Sequence, residues 1–209
     1  MMRNTNQNNI IKVLLLSLVI LSGCASEKQY FYYAYYYDEH AEPESYFVRV
    51  ISIDGEVRHE EEFWVDENGV LEKEGGDLLI KTSTGLNKRK LENGVHIYSP
   101  YLDISKNECV EFKYSDASLN DFASTTFCFI EKKDIVVNGM KYHDAYRFKK
   151  IVGSNNGVVT DVYLDENFIL ISQECTEGER AYYRIDRVDS AFMFQSLKLN
   201  KAKSNLALP

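Results

Sequence analysis

The sequence is short of the groups on which catalysis and metal binding usually rest. Its 209 residues include four histidines and four cysteines, and neither set has ligand spacing. His40, His59, His96 and His143 fall on separate expected elements. No two cysteines stand in a C-x-x-C arrangement, so a zinc or dithiol-redox site finds no support. No G-x-S-x-G, S-x-x-K or H-E-x-x-H pattern is present, which removes the common local signatures of acyl transferases and zinc hydrolases. Basic residues are also in deficit, 24 against 32 acidic, for a net charge of −8. Such a chain lacks the electrostatic footprint of a nucleic-acid binder and offers no polybasic help at a membrane surface. The expectation is a protein that is not an enzyme, carries no cofactor or metal and binds no nucleic acid.

Two motif-like stretches have simpler explanations. Asp66-x-Asn68-Gly69 resembles the opening of a calcium loop, but no glutamate closes the twelve-residue pattern, and a hairpin turn accounts for it. Gly75-Gly76 lacks the strand-to-helix context of a phosphate-binding loop.

Helical periodicity is equally scarce. The best window is Ser190 to Leu199, where Phe194 and Leu197 could share a face, and it reads equally well as a strand. There is no interdomain linker, low-complexity spacer or internal repeat. What is abundant is aromatic, with 15 tyrosines and 11 phenylalanines, set in short runs divided by turn residues. Tyr46 to Ile53, Asp54-Gly55 and Val57 to Val65 make a hairpin, because both turn positions tolerate positive φ. Asp66 to Gly69 turns into Val70-Leu71, and Gly75-Gly76 breaks the chain before Leu78 to Lys81. Residues 85–94, bounded by Gly85 and Gly94, read as a loop holding the one basic run, Lys88-Arg89-Lys90. Val95 to Leu102 follows, interrupted by Pro100. Cys109 to Tyr114 and Thr125 to Ile130 flank a polar segment at Asp116 to Asp121. Ile135 to Val137, Asn138-Gly139 and Met140 to Ile151 form another hairpin. Ser154 to Gly157 leads into Val158 to Leu164, Asp165-Glu166-Asn167 into Phe168 to Gln173, and Thr176 to Glu179 into Tyr182 to Val188. Strands at this spacing predict an all-β, mainly antiparallel meander of ten to twelve strands with little helix, as a curved sheet, a sandwich or a partly closed barrel. The single domain is expected over residues 30–199, with a frayed tail at 200–209.

The densest aromatic stretch runs from Tyr30 to Tyr37. As a strand it puts Tyr30, Tyr32 and Tyr36 on one face and Phe31, Tyr33, Tyr35 and Tyr37 on the other. Aromatics on both faces fit a strand covered on both sides. The functional alternative is an aromatic binding surface made by Tyr30, Tyr32, Tyr33, Tyr35, Tyr36 and Tyr37, as a stacking platform or a belt at lipid headgroups.

The N-terminus has a different character. Arg3 and Lys12 precede an apolar run from Val13 to Leu21, too short to span a bilayer and of the length of a signal-peptide core. Leu21-Ser22-Gly23-Cys24 closes it: a leucine, two small residues and a cysteine. This resembles the lipobox of bacterial lipoproteins. The resemblance covers residues 1–24 and implies cleavage before Cys24, diacylglycerol on its sulfur and an acyl group, such as palmitate, on its new amine. Two or three chains anchor stably where one does not. Without residues 1–23, 22 basic and 32 acidic side chains remain, a charge of −10, so attachment must come from the lipid. Residues 24–29 would form a short tether. The implied address is the cell envelope, and Ala25, not Asp, after the cysteine favours the outer membrane in many Gram-negative bacteria.

An exported chain can keep disulfides. Cys109 lies on the strand face opposite Val110, Phe112 and Tyr114, and Cys128 on the face opposite Phe127 and Phe129. A Cys109–Cys128 bridge between neighbouring strands is the favoured pairing, with Cys175 left over; three buried thiols are the alternative. Three functional classes remain, in this order. The first is a non-enzymatic module binding an envelope protein. The second is a carrier or sensor of an apolar ligand in a cupped sheet, and the third an enzyme with dispersed residues.

Overall fold

The computed structural model describes residues 27–37, 42–66, 68–105, 108–116, 121–153, 158–177 and 183–197. Cys24, His40, the turn at 154–157 and the tail at 200–209 lie outside the described residues. The strands are β1 (Lys28–Tyr37), β2 (Ser45–Asp54), β3 (Val57–Val65), β4 (Leu71–Lys81), β5 (Gly85–Glu92), β6 (Val95–Asp103), β7 (Val110–Asp116), β8 (Asp121–Val137), β9 (Met140–Val152), β10 (Val158–Leu164), β11 (Leu170–Glu177) and β12 (Tyr183–Val188), followed by helix α1 (Ser190–Ser196). All twelve strands join one antiparallel sheet, ordered β6-β5-β4-β3-β2-β1-β12-β11-β10-β9-β8-β7. It is two six-stranded meanders, β1–β6 and β7–β12, spliced where β1 pairs with β12. The sheet is nearly closed and barrel-shaped. Its edges, β6 and β7, meet through side chains: Tyr101 packs edge-to-face on Phe112 at 5.4 Å and on Phe127 at 4.9 Å.

The period-2 alternation of aromatic and aliphatic residues divides them between two cores. Tyr33, Phe47, Leu86, Phe127, Phe148 and Phe168 are among those pointing inward. Tyr36, Val48, Val50, Phe63 and Val65 point outward and are capped by Met193 of α1. The Ser190 to Leu199 window is thus helical over its first seven residues. Asp189 starts the helix as its N-cap, accepting from the Phe192 amide at 2.6 Å. With the inner core on one side and α1 on the other, β1 is covered on both faces.

One end of the barrel is plugged. The turn between β10 and β11 folds inward, and Phe168 (φ 57°) stacks on Tyr146 at 5.1 Å. Arg58 donates to the carbonyls of Asn167 (2.8 Å) and Phe168 (3.4 Å), Lys81 to the Asn167 side chain, and Arg187 to Asp165 and the Leu170 carbonyl. Buried carbonyls in an inverted turn need such donors. Phe31, near the start of β1, lies 4.8 Å under Arg187, so β1 begins at this plugged end.

Two expectations are corrected. Gly75-Gly76 does not break the chain. β4 runs straight through it, with a bulge opposite Glu62 and Phe63, and a Cβ on Gly76 would stand 2.6 Å from the Glu60 carbonyl, so the glycine allows close strand approach. Residues 85–94 are not a loop. Gly85 to Glu92 is strand β5, and the turn is confined to Asn93-Gly94, both at positive φ.

Candidate functional site

At the end opposite the plug the barrel is open among the described residues. A cavity of about 520 Å3 spans the seam, walled by Lys88 and Lys90 of β5, Tyr101 of β6, Phe112 of β7 and Lys150 of β9. Beneath it a smaller cavity of about 130 Å3 has an apolar floor that includes Leu86, Leu102 and Phe168. The two share Asp77, Tyr101 and Lys150, which form the throat between them. Strand alternation explains the placement. Lys88 and Lys90 follow Leu86 on the inward face of β5, and Lys150 pairs with Phe127 and stands between Phe148 and Val152 on β9.

The throat is electrostatically organised. Arg49 bonds Glu62 at 2.8 Å, Arg58 is paired with Glu60, and Lys88 reaches Asp77 at 2.7 Å. Lys88 also lies 5.0 Å from the Tyr101 ring and 5.8 Å from Phe112, in cation–π range. Lys90 pairs with Glu92 at 3.1 Å. Among the described residues, no acid pairs with Lys150. Its ammonium lies deep in the barrel yet faces both cavities. Burial pushes it down to about 8, Arg49 and Lys88 push the same way, and Glu62 opposes them. The arrangement can bind charge and apolar surface together. Among the described residues no group of His, Cys, Asp and Glu could hold a metal ion.

The residues singled out from sequence lie elsewhere. Cys109 and Cys128 are disulfide-linked with their Cα atoms 4.1 Å apart, on the outer face of the β7–β8 pair, and Cys175 is buried and outside any disulfide. The aromatic binding surface is corrected: Tyr33 is fully buried and Tyr36 is 3% exposed, Tyr30, Tyr32 and Tyr35 are half-buried, and Tyr37 alone is exposed. Tyr33 stacks on Phe47 at 4.7 Å and donates to the Leu170 carbonyl, and Tyr32 meets Phe194 of α1. These rings are packing. His59, His96 and His143 face solvent from three strands that are not neighbours; His143 contacts Asp134 at 3.0 Å, both exposed. Asp66 caps its turn by accepting from Asn68 and Val70.

Lys88-Arg89-Lys90 is not a solvated loop: two of its three side chains enter the cavity wall with acidic partners. Lys150 was the other residue missed, and the signal for it is Phe148-x-Lys150-x-Val152, a lysine inside an apolar alternation. No protein-family model matches the chain, and no curated protein or solved structure matches it.

Proposed function

We propose that this chain is a lipid-anchored envelope protein that binds a small molecule in the mouth of its barrel without transforming it. The observation that carries the reading is the cavity of about 520 Å3, inside the range of small-ligand sites, with an unneutralised lysine at its base. The filled lower barrel argues against a carrier that takes a long apolar chain inside, because Phe168 and the plug turn occupy that space. Lipidation of Cys24 would complete the geometry. Three residues separate it from Lys28, so four residue steps span at most roughly 14 Å of extended chain, and the plugged end would face the bilayer while the mouth would open away from it.

The test is to purify the protein from its own envelope, denature it and identify released compounds by mass spectrometry. One compound at stoichiometric yield is expected, lost in Thr125→Trp, which fills the mouth from β8. A yield with no dependence on the open mouth refutes the reading. The protein-binding class has its own supporting observation: Leu91, Val95 and Tyr98 are exposed on the β5–β6 hairpin at the sheet edge. If that edge recruits a strand from a partner, Val95→Lys with Tyr98→Lys should release a co-purifying protein and leave small-molecule content unchanged.

A further inference from the structure

The chemistry of the mouth narrows what it can hold, on the premise that it binds a small molecule. Around the throat each acid is already committed. Glu60 is paired with Arg58, Glu62 with Arg49 and Asp77 with Lys88. The groups around Lys150 are therefore Arg49 from β2, Arg58, Glu60 and Glu62 from β3, Asp77 from β4 and Lys88 from β5; with Lys150 they make four positive charges against three negative, so one positive charge is left over. An unpaired ammonium in a semi-enclosed site is costly unless something supplies the opposite charge. Next to it are the Tyr101 and Phe112 rings at right angles and the Val152 side chain. The lower cavity, about 130 Å3, is less than half the roughly 300 Å3 at which ligand sites begin, so a long tail has no room.

We propose that the mouth takes a compact amphiphilic monoanion, its carboxylate on the Lys150 ammonium and its apolar or aromatic body against Tyr101, Phe112 and Val152. The carboxylate supplies the missing counter-charge. A dianion overfills the charge count, and a neutral molecule leaves Lys150 unpaired. A cation meets Lys88, Lys90 and Lys150 together.

The site carries a pH signature. Lys150 is charged below about pH 8 and loses its proton above it. A bound carboxylate favours the protonated lysine, so affinity falls by about tenfold between pH 7 and pH 9.

The experiment titrates the full chain, held in lipid nanodiscs, with 2-naphthoate, its neutral analogue 2-naphthamide and the cation 2-naphthylmethylamine, using calorimetry with empty nanodiscs as the blank. Saturable one-to-one binding of the naphthoate is expected, with the amide at least tenfold weaker and the amine silent. Lys150→Met should weaken the naphthoate at least tenfold and abolish the pH dependence, and Lys150→Arg should retain binding with a flat profile up to pH 9. Equal affinity for naphthoate and naphthamide overturns the monoanion and leaves the small-molecule reading standing. Wild-type affinity in both lysine variants removes Lys150 from the site. Failure of all three probes overturns the proposed ligand class, and the fate of the broader reading then rests on the compound recovered from the envelope.

Discussion

Replacing Lys150 by methionine should make this protein more stable at neutral pH. The lysine is held near 8 against an ordinary 10.5, and each pH unit of such a difference is about 1.36 kcal/mol. Folding therefore imposes about 3 kcal/mol on the charged form. Below pH 8 the lysine is protonated in both the folded and unfolded chain, and the whole penalty is present. Between about 8 and 10.5 the folded chain gives up the proton first, so stability rises with pH across that window. Above 10.5 the penalty is gone. Methionine keeps the length of the stem, removes the charge and suits the apolar floor. For a domain of this size about 3 kcal/mol is roughly 6–12 °C in Tm. The assay is thermal unfolding of wild type and variant, with the disulfide intact and no ligand, at pH 7 and pH 10. The variant should melt higher by that margin at pH 7, and the gap should shrink at pH 10. Tyrosines also titrate in that range, but they do so in both proteins and drop out of the difference. A variant that melts at or below the wild-type temperature at pH 7 refutes the reasoning, because Lys150 would then have a partner.

Three other perturbations probe the scaffold. Replacing Cys109 and Cys128 together by serine should cost about 2–4 kcal/mol for a loop of this length and raise hydrogen exchange in β7, an edge strand, well above that in β10; uniform change across the sheet would count against the local account. Met193→Ala should cost about 2–4 kcal/mol in urea unfolding, because this fully buried side chain seals α1 onto the outer core. Asp165 accepts from the Asn167 and Ile169 amides as Asp66 does in its own turn, but it also holds Arg187. Asp165→Ala should therefore lower stability by about 2–3 kcal/mol and more than Asp66→Ala, and equal melting temperatures would show that the plug is not held through Arg187.

The fold was legible because its signals are local. Asn138-Gly139 fixes a hairpin with both residues at positive φ, Gly55 does so in a turn that falls one residue later than Asp54-Gly55, and the two faces of β1 are visible in eight consecutive residues. The strand pairing of Cys109 and Cys128 follows from their placing opposite the aromatics. The mouth was not legible, for a physical reason: it is made by closure. Whether Lys88 meets water or a barrel interior depends on the curvature of the whole sheet, which brings β5 opposite β9, strands whose facing residues lie 62 positions apart. The basic run was read as solvated because charge usually is. Gly85 and Gly94 reinforced the error, since Gly85 opens strand β5 and Gly94 sits in the two-residue turn after it instead of bounding a loop. The aromatic stretch was legible as a strand covered on both faces. Tyr30 to Tyr37 is conspicuous because a strand at the splice of two meanders, under a helix, needs large side chains on both faces.

The seam explains why a cavity exists at all in so aromatic a barrel. β6 carries Pro100, which offers no N–H to a neighbouring ladder and sits at a register shift against β5. β7 is held from outside, by the disulfide to β8, and its described residues gain a partner strand only on that side. At the throat the edges are bridged by Tyr101 against Phe112, and Tyr101 also reaches Phe127 of β8. At the level of those rings Lys88 of β5 and Lys150 of β9 share the cavity wall, and two ammonium groups cannot pack against one another, so the walls stay apart there. Burial is the main cause of the lowered Lys150, and repulsion from Arg49 and Lys88 adds to it; that repulsion keeps the mouth open, and an anion that neutralises it should draw the edges together. Hydrogen exchange at β6 and β7 should then slow when 2-naphthoate binds, while exchange at β1 and β12, on the far side of the barrel, stays as it was.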